Sequence, residues 1–361
     1  MRKETITLSQ AVFTLILFIF GSSVVLGVSG EAGQDAWVSV VLAGVMMIPL
    51  MLMYARIMRL FPETDFFDIL ETLFGKVLGK FFILLITFYA IHLCALVMRD
   101  FTEFLQIVSM PETPQLPMMA VLISLTAYLA MSGIKTLGKW SMVMLPIVLL
   151  TVLLTIVLAL VDLDITHLQP MFEAKLMKVV KGAYYTLTFP FAETVLFLCL
   201  AGAVKKQTSP YKIYTLSIFI GCFILLVVVL RNISILGAAM VGASYFPSYT
   251  TARILHIGNF LTRIEGTITM NFLLAGIVKI TVCLIAAAKG MAKMFGIADY
   301  KRILMPVAML VLSLCAILFK STMEMFGFLS YYAIYAIPFQ MLIPAVAWVT
   351  AEIRAKKQAA A

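Results

Sequence analysis

Two short stretches decide the fold: FIFGSSVVLG at residues 18–27 and TLTFPFAETVLF at residues 186–197. Each lies inside an apolar run long enough to cross a bilayer, for which a helix needs about 20 residues. Each also carries residues that loosen a helix. Gly21, Ser22 and Ser23 lower the cost of unwinding, because hydroxyls satisfy freed backbone groups. Pro190 removes a backbone donor and clashes with the preceding turn, and Glu193 lies beside it at similar depth. The helix is expected to be interrupted at both places; for either alone, a plain kink in a packed helix is the alternative.

The rest of the chain supplies the context. Of its 361 residues 63% are hydrophobic and 12% charged, with mean hydropathy +1.05. Soluble proteins run at about 45–50% apolar and about 25% charged. This composition excludes a cytosolic enzyme or a secreted domain and predicts a single integral membrane domain over 1–361. Apolar runs near 8–29, 36–58, 80–106, 117–133, 140–161, 183–204, 213–236, 268–289, 303–319 and 328–351 predict an all-α membrane protein with ten transmembrane helices. They divide into two sets of five, 8–161 and 183–351. Because five is odd, the second set enters the membrane from the opposite side, which makes an inverted repeat. The two interrupted runs are then the first spans of the two halves. Opposed breaks bring half-helix ends to one central point, where N-termini favour a carboxylate and exposed carbonyls an ammonium. A zwitterion such as an amino acid suits that point.

Of the 27 Lys and Arg residues, 18 fall on the side of the N-terminus, 8 on the other, and Lys279 within a span. The positive-inside rule places both termini in the cytoplasm. The net charge of +9 forms no basic stripe with interleaved aromatics, so lipid rather than nucleic acid is the expected partner. The five cysteines lie in apolar runs without metal or redox spacing, and no Walker loop, dinucleotide-binding glycine pattern, zinc set or nucleophile triad is present. Neither enzymatic chemistry, a cofactor nor a bound metal is expected.

Ionisable groups at membrane depth ask for a partner or a cavity. Arg99 and Glu103, four apart, are read as a structural pair. His92 either lines the cavity or is a hydrogen-bonded interior histidine. Lys279 shares a helix face with Asn271, Ala275 and Cys283. Its ammonium either takes the place a sodium ion would occupy in a sodium-coupled relative, or joins Glu193 in a neutral pair that ties the halves together. Tyr184, Thr188 and Phe191 recur at helical spacing on cavity or core. The stretch 59–79 reads as a short amphipathic helix against lipid or a partner, and 237–267 as a lid or a docking surface; a solvated connector is the alternative for both.

In family order, ITLSQAVF, FGSS, AGQDAWVS, the FP…LFGKVLGK segment, RDFTEFL with ETP at 112–114, and FPFAETVLFL make the chain resemble the B subunit of spore germinant receptors. These form the endospore germination permease family of the amino acid–polyamine–organocation transporter superfamily. The resemblance implies a LeuT-like inverted five-helix repeat, a nutrient-sensing role in the spore inner membrane, and a complex with a receptor A subunit and a lipoprotein C subunit. By position it implies a ligand site of Gly21, Ser22, Ser23, Phe189, Pro190 and Phe191. His92, Lys279 and Cys283 fall at depths that would complete it, with Glu193 beside the break. Lys279 matches no family motif, so its role rests on its charge at that depth. The competing function is a proton-coupled, sodium-independent amino-acid transporter, with Glu193 or His92 carrying the proton.

Overall fold

In the computed structural model, residues 4–255 and 265–360 are described; Arg2, Lys3 and Arg263, used in the charge count, lie outside them, as does part of the expected lid. The described chain is almost wholly helical: α1 (Leu8–Leu26), α2 (Ala36–Leu60), α3 (Phe66–Val108), α4 (Gln115–Ser132), α5 (Ile134–Ala159), α6 (Leu176–Thr186), α7 (Pro210–Ala243), α8 (Pro247–Ile254), α9 (Glu265–Phe295), α10 (Lys301–Ile317), α11 (Thr322–Ile337) and α12 (Ile343–Ala360). Among the described residues nine helical segments of at least 18 residues are apolar enough to cross a membrane. The remaining expected span, 303–319, is α10, an apolar helix of 17 residues. The last expected span is α11 and α12 joined through a widened turn, Pro338–Leu342.

α1 starts at a capping box: Thr7 Oγ1 accepts from the Gln10 amide and Gln10 Oε1 from the Thr7 amide. It is apolar all round and buried almost all round, as a helix at the centre of a bundle must be. Contrary to the expectation, it runs unbroken through Gly21, Ser22 and Ser23. The Ser23 hydroxyl bonds the Ile19 carbonyl one turn back at 2.6 Å and so supports the helix it was expected to loosen. The chain leaves the helix six residues later than Gly21, at Gly27, whose φ of +76° suits glycine; Ser29 follows in the left-handed region.

The sixth span breaks where expected. After α6 come a widened turn, Leu187–Phe191, and a tighter 3-10 helix, Ala192–Ala203, with Phe189 at non-helical φ −135° and ψ 110°. The break is satisfied by side chains from elsewhere: Gln340 Nε2 donates to the Thr188 carbonyl at 2.9 Å.

α9 is the central post, packing on α1, α3, α4, α5, α8 and α10. Small residues permit this. A Cβ on Gly276 would overlap the Phe101 ring of α3, and one on Gly290 would overlap Thr87. The amphipathic segment expected at 59–79 is Phe66–Phe74, turned away from the rest of α3 at Gly75. Its apolar face, with Phe66, Phe67 and Leu70, is buried within this chain. Asp65 and Asp68 reach Lys289 and Lys293 of α9 at 2.8 and 2.7 Å, and Glu71 reaches Lys293 at 2.6 Å. With Ile6 bonded to Ala203 at 2.9 Å, these contacts close the bundle end where Glu4 and Arg354 lie.

At the opposite end, Asp35 of the AGQDAW motif accepts from the Phe172 and Ala174 amides, both at 2.8 Å, and pins the connection between α5 and α6. α7 bends at Gly237, φ +73°, ahead of Val241 and Gly242 near its end.

Candidate ligand cavity and buried ion pair

The structure joins Glu193 and Lys279. Lys279 Nζ lies 2.6 Å from Glu193 Oε2, and both side chains are fully buried. An isolated charge at membrane depth is costly; here each neutralises the other. Glu193 Oε1 accepts from the Tyr332 hydroxyl at 2.5 Å, and Tyr332 meets Tyr89, hydroxyl to hydroxyl, at 3.0 Å. Gln340 Nε2 donates to Tyr89 at 2.8 Å, which connects the pair to the break. The Lys279 ammonium also faces the rings of Phe189 and Phe18, at 4.9 and 5.4 Å.

Gly21 explains how a lysine fits there. A Cβ on Gly21 would stand 2.5 Å from Lys279 Cδ and 2.7 Å from its Cβ, so the lysine stem crosses α1 where α1 has no side chain. Gly21 therefore serves close approach, not unwinding. Ser22 is buried beside Asp100 of α3, a carboxylate in electrostatic reach of both Lys279 and Glu193.

A cavity of about 620 Å³ opens on the other side of this layer. Its walls come from the α1 exit (Leu26–Glu31), the α6 break, the bent end of α7, and α11, and they include Asn232 and Ser330. Ser29 and Thr186 on its wall bond each other, hydroxyl to hydroxyl, at 2.5 Å and tie the α1 exit to α6. Phe189 and Tyr332 both line the cavity and touch the ion pair, so they form a floor one side chain thick.

Of the residues singled out in the sequence, Phe189 and Thr188 line this cavity. Glu193, Lys279 and Gly21 meet beneath it; Pro190 and Phe191 form the break; Ser22, Ser23 and Cys283 are buried away from it. His92 stands apart as well. It is half-buried, stacks on Phe88 at 5.8 Å and meets Tyr335 edge-on at 5.1 Å. Arg99 and Glu103 pair at 2.7 Å as read from their spacing, and Thr322 donates to Glu103 at 2.6 Å.

Sequence reasoning missed Tyr332, Asn232, Ser29, Thr186 and Asp100. A tyrosine hydroxyl in an apolar run needs a partner, and SYYAIYAI at 330–337 carried that signal. Arg231, one of the eight Lys and Arg residues that the charge count places on the far side, is buried within α7. Among the described residues no cluster of three or more His, Cys, Asp or Glu could hold a metal ion.

A family model described as spore germination protein matches residues 5–325. The chain belongs to this family. Among its relatives, spore germination protein KB of Bacillus subtilis (strain 168) is 24% identical over 99% of this chain and 97% of its own length. The putative spore germination protein YfkT of the same organism is 25% identical over 77% of this chain and 76% of its own. Among solved structures, MHP1, a nucleobase-cation-symport-1 family transporter in a closed conformation with bromovinylhydantoin bound, aligns with TM-score 0.72 and 12% identity over 96% of this chain and 78% of its own. MhsT in complex with L-phenylalanine aligns with TM-score 0.65 and 13% identity over 96% and 89%. At these identities the likeness is one of fold, the LeuT-like fold expected from the sequence. Family and fold neighbours are germination proteins and transporters, and the chain is a multi-pass membrane protein of the permease type.

Proposed function

We propose that the chain is the nutrient-sensing subunit of a spore germinant receptor, and that it binds a small molecule, an amino acid by preference, in the 620 Å³ cavity. The observation that carries the reading is the shared floor: Phe189 and Tyr332 line the cavity and hold the Lys279–Glu193 pair beneath it. A ligand pressing on that floor bears on α1 through Gly21, on the α6 break through Glu193, and on α9 through Lys279. Partner subunits, a receptor A subunit and a lipoprotein C subunit, would read the resulting movement in the spore inner membrane. Both termini lie in the cytoplasm in this reading, the halves are 8–161 and 183–351, and the chain itself catalyses no reaction.

The second reading, a proton-coupled and sodium-independent amino-acid transporter, is favoured by the transporter fold. In both readings the Lys279 ammonium stands in for a sodium ion. The test is thermal stabilisation of the purified chain by amino acids, sugars and nucleosides, with Ser330→Trp filling the cavity as control. A ligand at 100 times its Kd adds about 2.7 kcal/mol. A sodium-independent shift that is lost in the control, without substrate uptake by proteoliposomes holding this chain alone, is the expected result. Uptake by the chain alone overturns the sensor reading in favour of transport, and a sodium-dependent shift overturns the role given to Lys279.

A further inference from the structure

Three basic side chains are buried among the described spans, and two have a carboxylate: Arg99 has Glu103 at 2.7 Å and Lys279 has Glu193 at 2.6 Å. The third is Arg231 of α7, 4% exposed. Its Nε and Nη2 donate to Asn232 Oδ1 at 3.1 and 2.7 Å, and Nη1 donates to Thr155 Oγ1 at 2.8 Å. These acceptors are neutral. Among the described residues no carboxylate pairs with Arg231, and the stretch 256–264 contains neither Asp nor Glu. A glutamine there would spare the cost of burying a charge, so a purely structural role leaves the positive charge without a reason.

Asn232 joins that charge to the cavity, which it lines. Its Oδ1 is taken by Arg231 and by Thr251 Oγ1 at 3.1 Å, which leaves the amide nitrogen, with two hydrogens to donate, as the group it can offer a ligand. That nitrogen donates to Ser248 Oγ at 3.1 Å, and Ser248 in turn donates to the Val24 carbonyl at 2.5 Å. Along the path Arg231–Asn232–Ser248–Val24 each bond runs outward from the guanidinium, and Thr251 donates to the same Asn232 oxygen, so both polarise the Asn232 amide toward an acceptor. The acid on the cavity lining, Glu31, is occupied by Lys181 at 3.3 Å.

We propose that Arg231, acting through Asn232, makes this cavity select a ligand bearing a carboxylate, with Asn232 as the contact and Arg231 as the positioning residue. This rests on the cavity being the ligand site and adds the chemical class of the group recognised on the α7 wall. A carboxylate against Asn232 supplies the counter-charge that the protein omits.

The test compares L-amino acids with the corresponding L-amino-acid amides by thermal stabilisation of the full chain in nanodiscs, with glucose and inosine as neutral probes. Acids are expected to bind at least tenfold more tightly than amides. Arg231→Lys, which keeps the charge, retains the preference; Arg231→Gln loses it. Asn232→Asp, which gives Arg231 its own carboxylate, raises unliganded stability and loses the preference, so the test stands even if Arg231→Gln fails to fold. Equal binding of acids and amides, or a preference that survives Asn232→Asp, overturns the proposal. Stabilisation by glucose or inosine alone overturns it while leaving the ligand cavity in place. No stabilisation by any probe overturns the cavity reading itself.

Discussion

Glu193→Gln and Lys279→Met, singly and together, form a double-mutant cycle on a pair whose Nζ–Oε2 distance is 2.6 Å and whose exposure is zero on both sides. Removing one partner of a buried pair strands the other charge, and the cost is about 3–5 kcal/mol. The local contacts place the two singles within that range. Without Lys279, Glu193 keeps the Tyr332 hydroxyl but loses its cation. Without the Glu193 charge, Lys279 keeps the faces of Phe18 and Phe189 and the neutral oxygen of the substituted glutamine as an acceptor, so Glu193→Gln is the milder of the two. The double variant strands no charge of the pair and fills nearly the same volume, a replacement that is often neutral or stabilising. The expected coupling energy is therefore above about 3 kcal/mol, read by reversible unfolding in mixed micelles. Additive effects, or singles costing less than about 1 kcal/mol, would refute a charged pair holding α9 to the α6 break.

Three further outcomes follow from the same contacts. Gly21→Ala forces a Cβ to within 2.5 Å of the Lys279 stem and is expected to cost about 1–3 kcal/mol; in a Lys279→Ala background the unfolding measurement should show most of that cost gone. Tyr332→Phe deletes the donor to Glu193 Oε1 at 2.5 Å, a hydrogen bond to a charged group worth about 1.5–3 kcal/mol, and the same unfolding assay reads it. Lys289→Met breaks the 2.8 Å bridge to Asp65 and the contact to the Cys199 carbonyl; the buried Cys199 thiol should then react several-fold faster with a membrane-permeant maleimide, followed by mass spectrometry.

The fold was legible because its signals are compositional and local. Apolar runs of membrane length, the proline in span six and the odd number of spans per half each constrain the chain without reference to packing. The site was legible only where a side chain is out of place in an apolar run. Glu193 and Lys279 announce themselves by charge, and their depths matched. What the sequence could not convey is which helix faces which gap. FGSS reads as a breakpoint by residue type; whether glycine there unwinds its own helix or makes room for another depends on what stands opposite, and Lys279 is 258 positions away in the chain. The surroundings of His92 were hidden for a related reason: the aromatic rings of Phe328 and Tyr335 that meet it come from α11, far away in the chain. Asn232 was hidden because its role comes from the cavity that the bend at Gly237 helps to shape.

One layer of side chains separates the two kinds of chemistry here, and that thickness bears on how a binding event is felt. Above the layer, the cavity presents hydroxyls and the Asn232 amide; below it, a desolvated ion pair tolerates little displacement, because attraction between charges out of water is strong and losing it is costly. Phe189 and Tyr332 belong to both sides. The opposite bundle end is closed by bridges that are partly exposed, such as Lys293 to Asp68 with exposures of 31% and 49%, and pairs of that kind contribute little individually. The stiff element is thus at mid-depth and the weaker latches are at the end. In the proposed sensing role, a small shift of the floor would pass through the pair to α1, α9 and the α6 break together, and the end bridges are the contacts least able to resist it.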